Sequence, residues 1–108
     1  MSLPDAYPKI WRVVKAIPMG SVLSYSEVAR RAGFPKGARQ VSRALQAAPV
    51  AQRLPWHRVV GAQGRLSLPA DSEAGRIQRA RLKKEGVHIK GRRIIAATPT
   101  SLDQALWG

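Results

Sequence analysis

Apolar residues Ile10, Val13, Val14 and Ile17 recur at the spacing of one helix face and predict a helix over residues 6–17. Pro8 is tolerated in its first turn and Pro18 ends it, while Trp11 falls with the core side. Met19-Gly20-Ser21 then reads as a turn and Val22-Leu23 as a short extended link. Ser24-Tyr25-Ser26-Glu27 has the form of a capping box, with Ser24 accepting from the Glu27 N–H and the Glu27 carboxylate reaching back to the Ser24 N–H. It predicts a helix from Tyr25 to about Ala32 with Val28 and Ala29 inward. Gly33-Phe34-Pro35-Lys36-Gly37 interrupts the pattern. A second helix follows from Ala38 to Ala48, where Ala38, Val41, Ala44 or Leu45, and Ala48 repeat every three to four residues before Pro49. Two short helices across a glycine-containing turn make a helix-turn-helix over about residues 24–48, and the second helix offers Arg39, Gln40, Arg43 and Gln46 on its polar face.

Pro55 fixes its own φ and stops any preceding helix, so it delivers Trp56 in a defined direction, and Val59-Val60 begin a strand. Gly61-Ala62-Gln63-Gly64 reads as the turn of a hairpin with Arg65-Leu66 on its far side, a wing over residues 59–67. Asp71 or Ser72 can cap a helix that runs to about Glu85, with Ile77, Leu82, Ala74 and Ala80 as a thin apolar side. Gly86 fits the position just past its end, with Val87 as the hydrophobic residue that follows. Residues 87–95 make two extended pieces around Lys90-Gly91, and the tail from Thr98 to Gly108 is weakly specified, with Leu102, Leu106 and Trp107 placed to dock a final turn. The fold expected is a single mainly α domain over residues 1–108 with small β-hairpins, a winged helix-turn-helix DNA-binding domain.

Charge narrows the function. Lys and Arg number 19 against 6 Asp and Glu, a formal net charge of +13 on 108 residues. Such a field favours polyanions and points to nucleic acid or an anionic membrane surface. A ribosomal or membrane-surface protein would share it, and the basic residues are spread over several segments, with neither a polybasic tail nor a long amphipathic anchor next to an apolar span. The absence of cysteine excludes disulfides, thiolate metal sites and thiol nucleophiles together. His57 and His88 alone do not compose a zinc site, and no cofactor is expected. No segment approaches the roughly 20 apolar residues of a membrane span, so a soluble intracellular protein is expected, cytoplasmic or, in a eukaryote, nuclear.

Taken bare, several of these residues have ordinary readings. An Arg on a recognition helix meets a phosphate, a Tyr at a helix start covers the core, and a Trp after proline belongs to the interior. Three motifs change the weighting. Pro55-Trp56-His57-Arg58-Val59 resembles the active segment Pro-Cys-His-Arg-Val of the O6-alkylguanine-DNA alkyltransferases, Ala38-Arg39-Gln40-Val41 resembles their Ala-Arg-Ala-Val, and Ser24-Tyr25 matches as well. The spacings also fit the family, with Arg39 seventeen residues before Trp56 and Tyr25 fourteen before Arg39. Over about residues 10–87 the chain is similar to that family, and Trp56 in place of the alkyl-accepting cysteine is the mark of its alkyltransferase-like branch, which binds alkylated guanine without repairing it.

The resemblance implies roles. Arg39 enters the base stack from the minor groove in place of an extruded nucleotide, and Tyr25 helps rotate the 3′ phosphate, with Ser24, Gln40 and Arg43 as further DNA contacts. Trp56 floors a lesion pocket in segment 54–60, with Pro55, Val59 and Ser67 beside it. His57 and Glu85 match the family's activating pair and, with no thiol to activate, become a structural remnant that shapes the pocket. Arg58 either ties the loop together or meets DNA. Two departures stand out: Ala48-Pro49-Val50 lacks the asparagine of the family's Asn-Pro-Val, and Leu66-Ser67-Leu68-Pro69-Ala70 replaces its Tyr-Ser-Gly-Gly lid, which implies a roomier pocket. The expected partners are duplex DNA containing O6-alkylguanine and, by resemblance, nucleotide excision repair proteins, for a monomer with no enzymatic activity. The alternatives are a winged-helix transcription or architectural protein indifferent to alkylation, and an alkyltransferase with another nucleophile. Neither His57 nor any Ser offers the soft, easily ionised sulfur that the second alternative favours.

Overall fold

The computed structural model describes residues 6–96; the expected docking of Leu102, Leu106 and Trp107 lies outside them. Helix α1 spans Ala6–Lys15 and buries Ala6, Ile10, Trp11 and Val14. It ends two residues sooner than the apolar spacing predicts, because the amides of Ala16 and Ile17 bond back three residues to Val13 and Val14 and tighten the last turn ahead of Pro18. Ile17 is still buried.

Helices α2 (Tyr25–Arg31) and α3 (Ala38–Ala47) pack on each other and on α1. The Ser24 hydroxyl accepts from the Glu27 N–H at 3.1 Å. The other half of the expected capping box is replaced, since the Glu27 carboxylate pairs with Arg30 and Arg31 on its own helix. Gly33 takes a φ of +94°, which lets the Phe34 amide reach Ala29 O at 2.8 Å and the Gly33 amide reach Arg30 O at 3.1 Å. That pair of bonds closes α2 and aims the chain toward α3. Val41 and Ala44 face inward, and the small side chain at 44 lets α1 approach closely enough for the Trp11 indole to donate to Ala44 O at 2.7 Å.

Strand β1 (Leu23–Ser24) pairs in parallel with β2 (Val59–Val60), Leu23 opposite Val59 and Ser24 opposite Val60. Alternation along β2 joins two cores: Val59 packs with the α1–α3 cluster, while Val60 packs with Leu66, Leu82 and Val87. The expected wing over residues 59–67 is therefore corrected. Val59-Val60 take Leu23-Ser24 as their partners, residues Ala62–Gly64 form a tight turn in which Gln63 takes a left-handed backbone (φ 59°, ψ 28°), and only the Gly61 amide to Arg65 O, 2.7 Å, closes the would-be hairpin. Residues 65 and 66 turn instead to the second sheet through the Arg65–Arg93 bridge and the Leu66 amide to Arg92 O. That sheet is the antiparallel pair β3 (His88–Lys90) and β4 (Arg93–Ala96), the hairpin expected around Lys90-Gly91.

Helix α4 (Glu73–Lys84) starts at Ser72, whose hydroxyl accepts from the Gly75 N–H at 3.0 Å. Its end follows the predicted motif, with the Val87 amide on Leu82 O and the Gly86 amide on Lys83 O. Its buried stripe keeps Leu82 from the expected one and departs from it elsewhere. Ala74 and Ala80 are exposed, and the inward residues are Gly75, Gln78 and Leu82. A Cβ at position 75 would lie 2.0 Å from Pro69 O, so this helix face requires glycine to approach the preceding loop.

Candidate nucleic-acid interface and base pocket

The pocket segment is a 3₁₀ turn over Trp56–Arg58 that leads straight into β2. The amide of buried Gln78 on α4 donates to Val59 O at 3.1 Å and lies 3.4 Å from His57 O, so α4 holds the turn by its backbone as well as by side chains. Glu85, just past the last residue of α4, is the hub. It accepts from Arg58 Nε at 3.0 Å and Arg58 Nη2 at 2.8 Å, faces His57 Nε2 at 2.8 Å, and accepts from the Gly20 amide at 3.2 Å. Arg58 Nη1 adds a bond to Ile17 O at 2.7 Å. The open choice for Arg58 resolves in favour of tying the end of α1, the pocket turn and α4 into one unit.

Burial by itself would raise the Glu85 pKa, but the bonds from Arg58, His57 and Gly20 outweigh it and hold it at about 2. His57 shifts down, because burial disfavours its charged form more than the neighbouring carboxylate favours it. Geometry agrees: with Nε2–H on the ionised Glu85, neutral imidazole leaves only an acceptor lone pair at Nδ1, which is buried and has no partner. Protonation there would bury an unsatisfied N–H.

An open pocket of about 1020 Å³ lies in front of this turn, bounded by Leu45 and Ala48 at the end of α3, by Met19, by Pro49 and Val50, and by the run from Arg53 to Arg58. Of the four residues grouped with the pocket from the sequence, Pro55 and Trp56 line it and Val59 and Ser67 do not. Val59 points into the core on the inward phase of β2, and Ser67 is exposed on the loop that joins the second sheet. Met19, 68% exposed, and Val50, 94% exposed, make an apolar rim. The Arg81 guanidinium lies over the Trp56 ring, 5.7 Å from its centroid. Gln78 and Arg81 escaped the sequence reading. Their signal was the helical spacing 78, 81, 85, which puts them on the same face as the glutamate already singled out.

On the other side of α3, Arg39, Gln40 and Arg43 are exposed, and among the described residues neither arginine has a carboxylate partner. Ser24 and Tyr25 are half-buried at the start of α2; the Tyr25 ring packs against the first core cluster while Ser24 serves as the cap. One helix thus carries an unpaired arginine in its first turn and a wall of the pocket in its last, about 9 Å apart along its axis.

Residues 5–87 match the family described as 6-O-methylguanine DNA methyltransferase, DNA binding domain. The chain is similar to the DNA base-flipping protein of Escherichia coli K12, 42% identical over 92 residues that cover 84% of this chain and 70% of the relative. It is 38% identical to Alkyltransferase-like protein 1 of Schizosaccharomyces pombe over 89 residues, 82% of each chain. Its fold matches the crystal structure of S. pombe Atl1 in complex with damaged DNA containing O6-carboxymethylguanine, with a TM-score of 0.72, 38% identity and 83% of each chain covered.

Proposed function

The chain belongs to the 6-O-methylguanine DNA methyltransferase family through its DNA-binding domain, and from that premise we propose that it recognises O6-alkylguanine in duplex DNA without transferring the alkyl group. The observation that carries this reading is α3 itself, with exposed Arg39 at one end and Leu45 against the Trp56 pocket at the other. Docked in the minor groove, the helix places the Arg39 guanidinium in the stack as the target nucleotide leaves it. A flipped base costs on the order of a few kcal/mol in lost pairing and stacking, and a planar guanidinium recovers part of that by stacking and bonding to the orphaned base. Tyr25, Ser24, Gln40 and Arg43 hold the flanking backbone.

The extruded guanine enters the pocket against Trp56, with Pro55 beneath and the alkyl group toward Met19 and Val50. An indole has no thiolate to accept an alkyl group, and His57 is committed to Glu85 through Nε2. The protein therefore holds the lesion and marks it, and nucleotide excision repair is the pathway that would act on the marked site. The lesion in the S. pombe complex, O6-carboxymethylguanine, is the first to test with this chain alongside O6-methylguanine.

The test is a titration at near-physiological salt against duplexes that differ only in guanine or O6-methylguanine, with the protein mass measured afterwards. Tighter binding to the lesion with unchanged mass is expected. Equal binding would leave a basic helix-turn-helix protein, and an alkyl increment in mass would make it an enzyme. Arg39→Ala is expected to reduce the preference for damaged duplex more than the affinity for undamaged duplex.

A further inference from the structure

The lining of the pocket is charged in a way that binding a neutral alkylguanine does not require. Lys15, Arg53, Arg81 and Lys84 are four cations on it with no carboxylate partner among the described residues. Its single carboxylate, Glu85, is already met by Arg58, His57 and the Gly20 amide, so nothing in the lining offsets the four. Two of them are placed with some care. Arg81 lies over the Trp56 ring with its guanidinium carbon 5.7 Å from the centroid, a cation–π contact that holds its charge beside the indole. Arg53 holds a left-handed backbone at φ 48°, ψ 46°, a conformation that glycine or asparagine adopts at lower cost, yet a long cationic side chain stands there on the pocket wall.

Resting on the lesion-binding reading above, we propose that the pocket selects O6-alkylguanines whose alkyl arm ends in a carboxylate, with Arg81 and Arg53 as the pairing cations. The guanidinium of Arg81 offers the forked donor pair that a planar carboxylate fits, and it sits beside the indole against which the base is proposed to rest. Lys15 and Lys84 add unpaired positive charge around it. Neutral arms of equal size gain only the apolar contacts of the rim.

The experiment compares three duplexes identical but for one base: guanine, O6-carboxymethylguanine, and its uncharged isostere O6-carbamoylmethylguanine. A charge-assisted bidentate bond predicts binding about tenfold tighter to the carboxylate than to the amide. The double variant Arg53→Gln/Arg81→Gln is expected to bring the two adducts to equal affinity while both remain tighter than guanine. Lys90→Gln, on the β3–β4 hairpin and outside the pocket lining, is expected to leave the ratio unchanged. Equal affinity of the native protein for the two adducts, both above guanine, would overturn charge selection and leave lesion recognition standing. Equal affinity for all three would overturn both. A double variant that loses the same factor on every duplex and keeps the tenfold ratio would make these arginines phosphate contacts and overturn the proposal.

Discussion

Replacing Glu85 by glutamine tests what holds the pocket turn to the rest of the fold. The carboxylate faces two Arg58 donors, the His57 Nε2–H and the Gly20 amide, four donors on two oxygens. A glutamine presents one oxygen and an NH₂ group, so at least one donor meets another donor. The Glu85 and Arg58 side chains are 10% and 14% exposed, which places the pair well inside the range where breaking one partner is costly, about 3 kcal/mol or more. The lowered pKa of the same group points the same way. A carboxyl whose ordinary value of 4.5 falls to about 2 on folding contributes about 3 kcal/mol at neutral pH, at about 1.4 kcal/mol for each pH unit. For a domain of this size that is a fall in Tm on the order of 15 °C. The sign follows from the lowered value: the stabilisation is complete above about pH 4.5 and is lost as pH falls toward 2. His57, also lowered, adds a gentler loss that begins below its ordinary 6.5, as the unfolded imidazole takes up a proton that the folded one resists. Thermal unfolding of native protein and Glu85→Gln between pH 7 and 3 is the assay. A Tm at pH 7 within a few degrees of the native value, or an acid slope between pH 4.5 and 3 as steep as the native one, would refute the assignment of Glu85 as the electrostatic hub.

Two further substitutions test the scaffold around the site. Trp11→Phe removes the indole donor from Ala44 O, a carbonyl near the end of α3 that the Ala48 amide passes over in favour of Leu45 O. A loss of about 2 kcal/mol in chemical denaturation is expected, and a change below about 0.5 kcal/mol would mean that the carbonyl finds another partner. Gly75→Ala drives a Cβ to 2.0 Å from Pro69 O, whose carbonyl is also held by the Ser72 hydroxyl at 2.7 Å. Destabilisation of more than about 2 kcal/mol by the same assay is expected, and a near-native midpoint would show that the loop before α4 gives way freely.

What was legible in the sequence follows what is local. Ser24, Gly33, Pro49 and Ser72 set helix ends through contacts within a few residues, and those ends fall close to where their signals put them. The partner of Val59-Val60 was not legible, because Leu23-Ser24 lie far back in the chain and pair in parallel, while the glycines at 61 and 64 imitate a hairpin. Leu82 was legible on the inward face of α4, and the rest of that face was missed for a different reason. Gly75 is buried by close approach and Gln78 by hydrogen bonds to the pocket turn, and neither leaves a hydrophobic mark. The same turn explains the misplacement of Val59, grouped with the pocket by motif, although the alternation of a two-residue strand sends it to the core.

These contacts give a physical reason for a feature that chemistry alone leaves odd, a His–Glu pair suited to activating a thiol in a chain with no cysteine. The same carboxylate that would orient the imidazole also receives Arg58 in bidentate fashion and the Gly20 amide, and Arg58 reaches on to Ile17 O. Removing the pair would leave the Arg58 guanidinium and the Gly20 amide without their carboxylate, and would loosen the guanidinium that donates to Ile17 O at the end of α1. The geometry of the Trp56 turn therefore depends on Glu85 whether or not a proton is ever moved. His57 is held neutral between that carboxylate and an unpartnered Nδ1, a state suited to filling space beside the pocket. A His–Glu pair beside a tryptophan, with no thiol in the chain, is consistent with this fold, because the pair is also the brace.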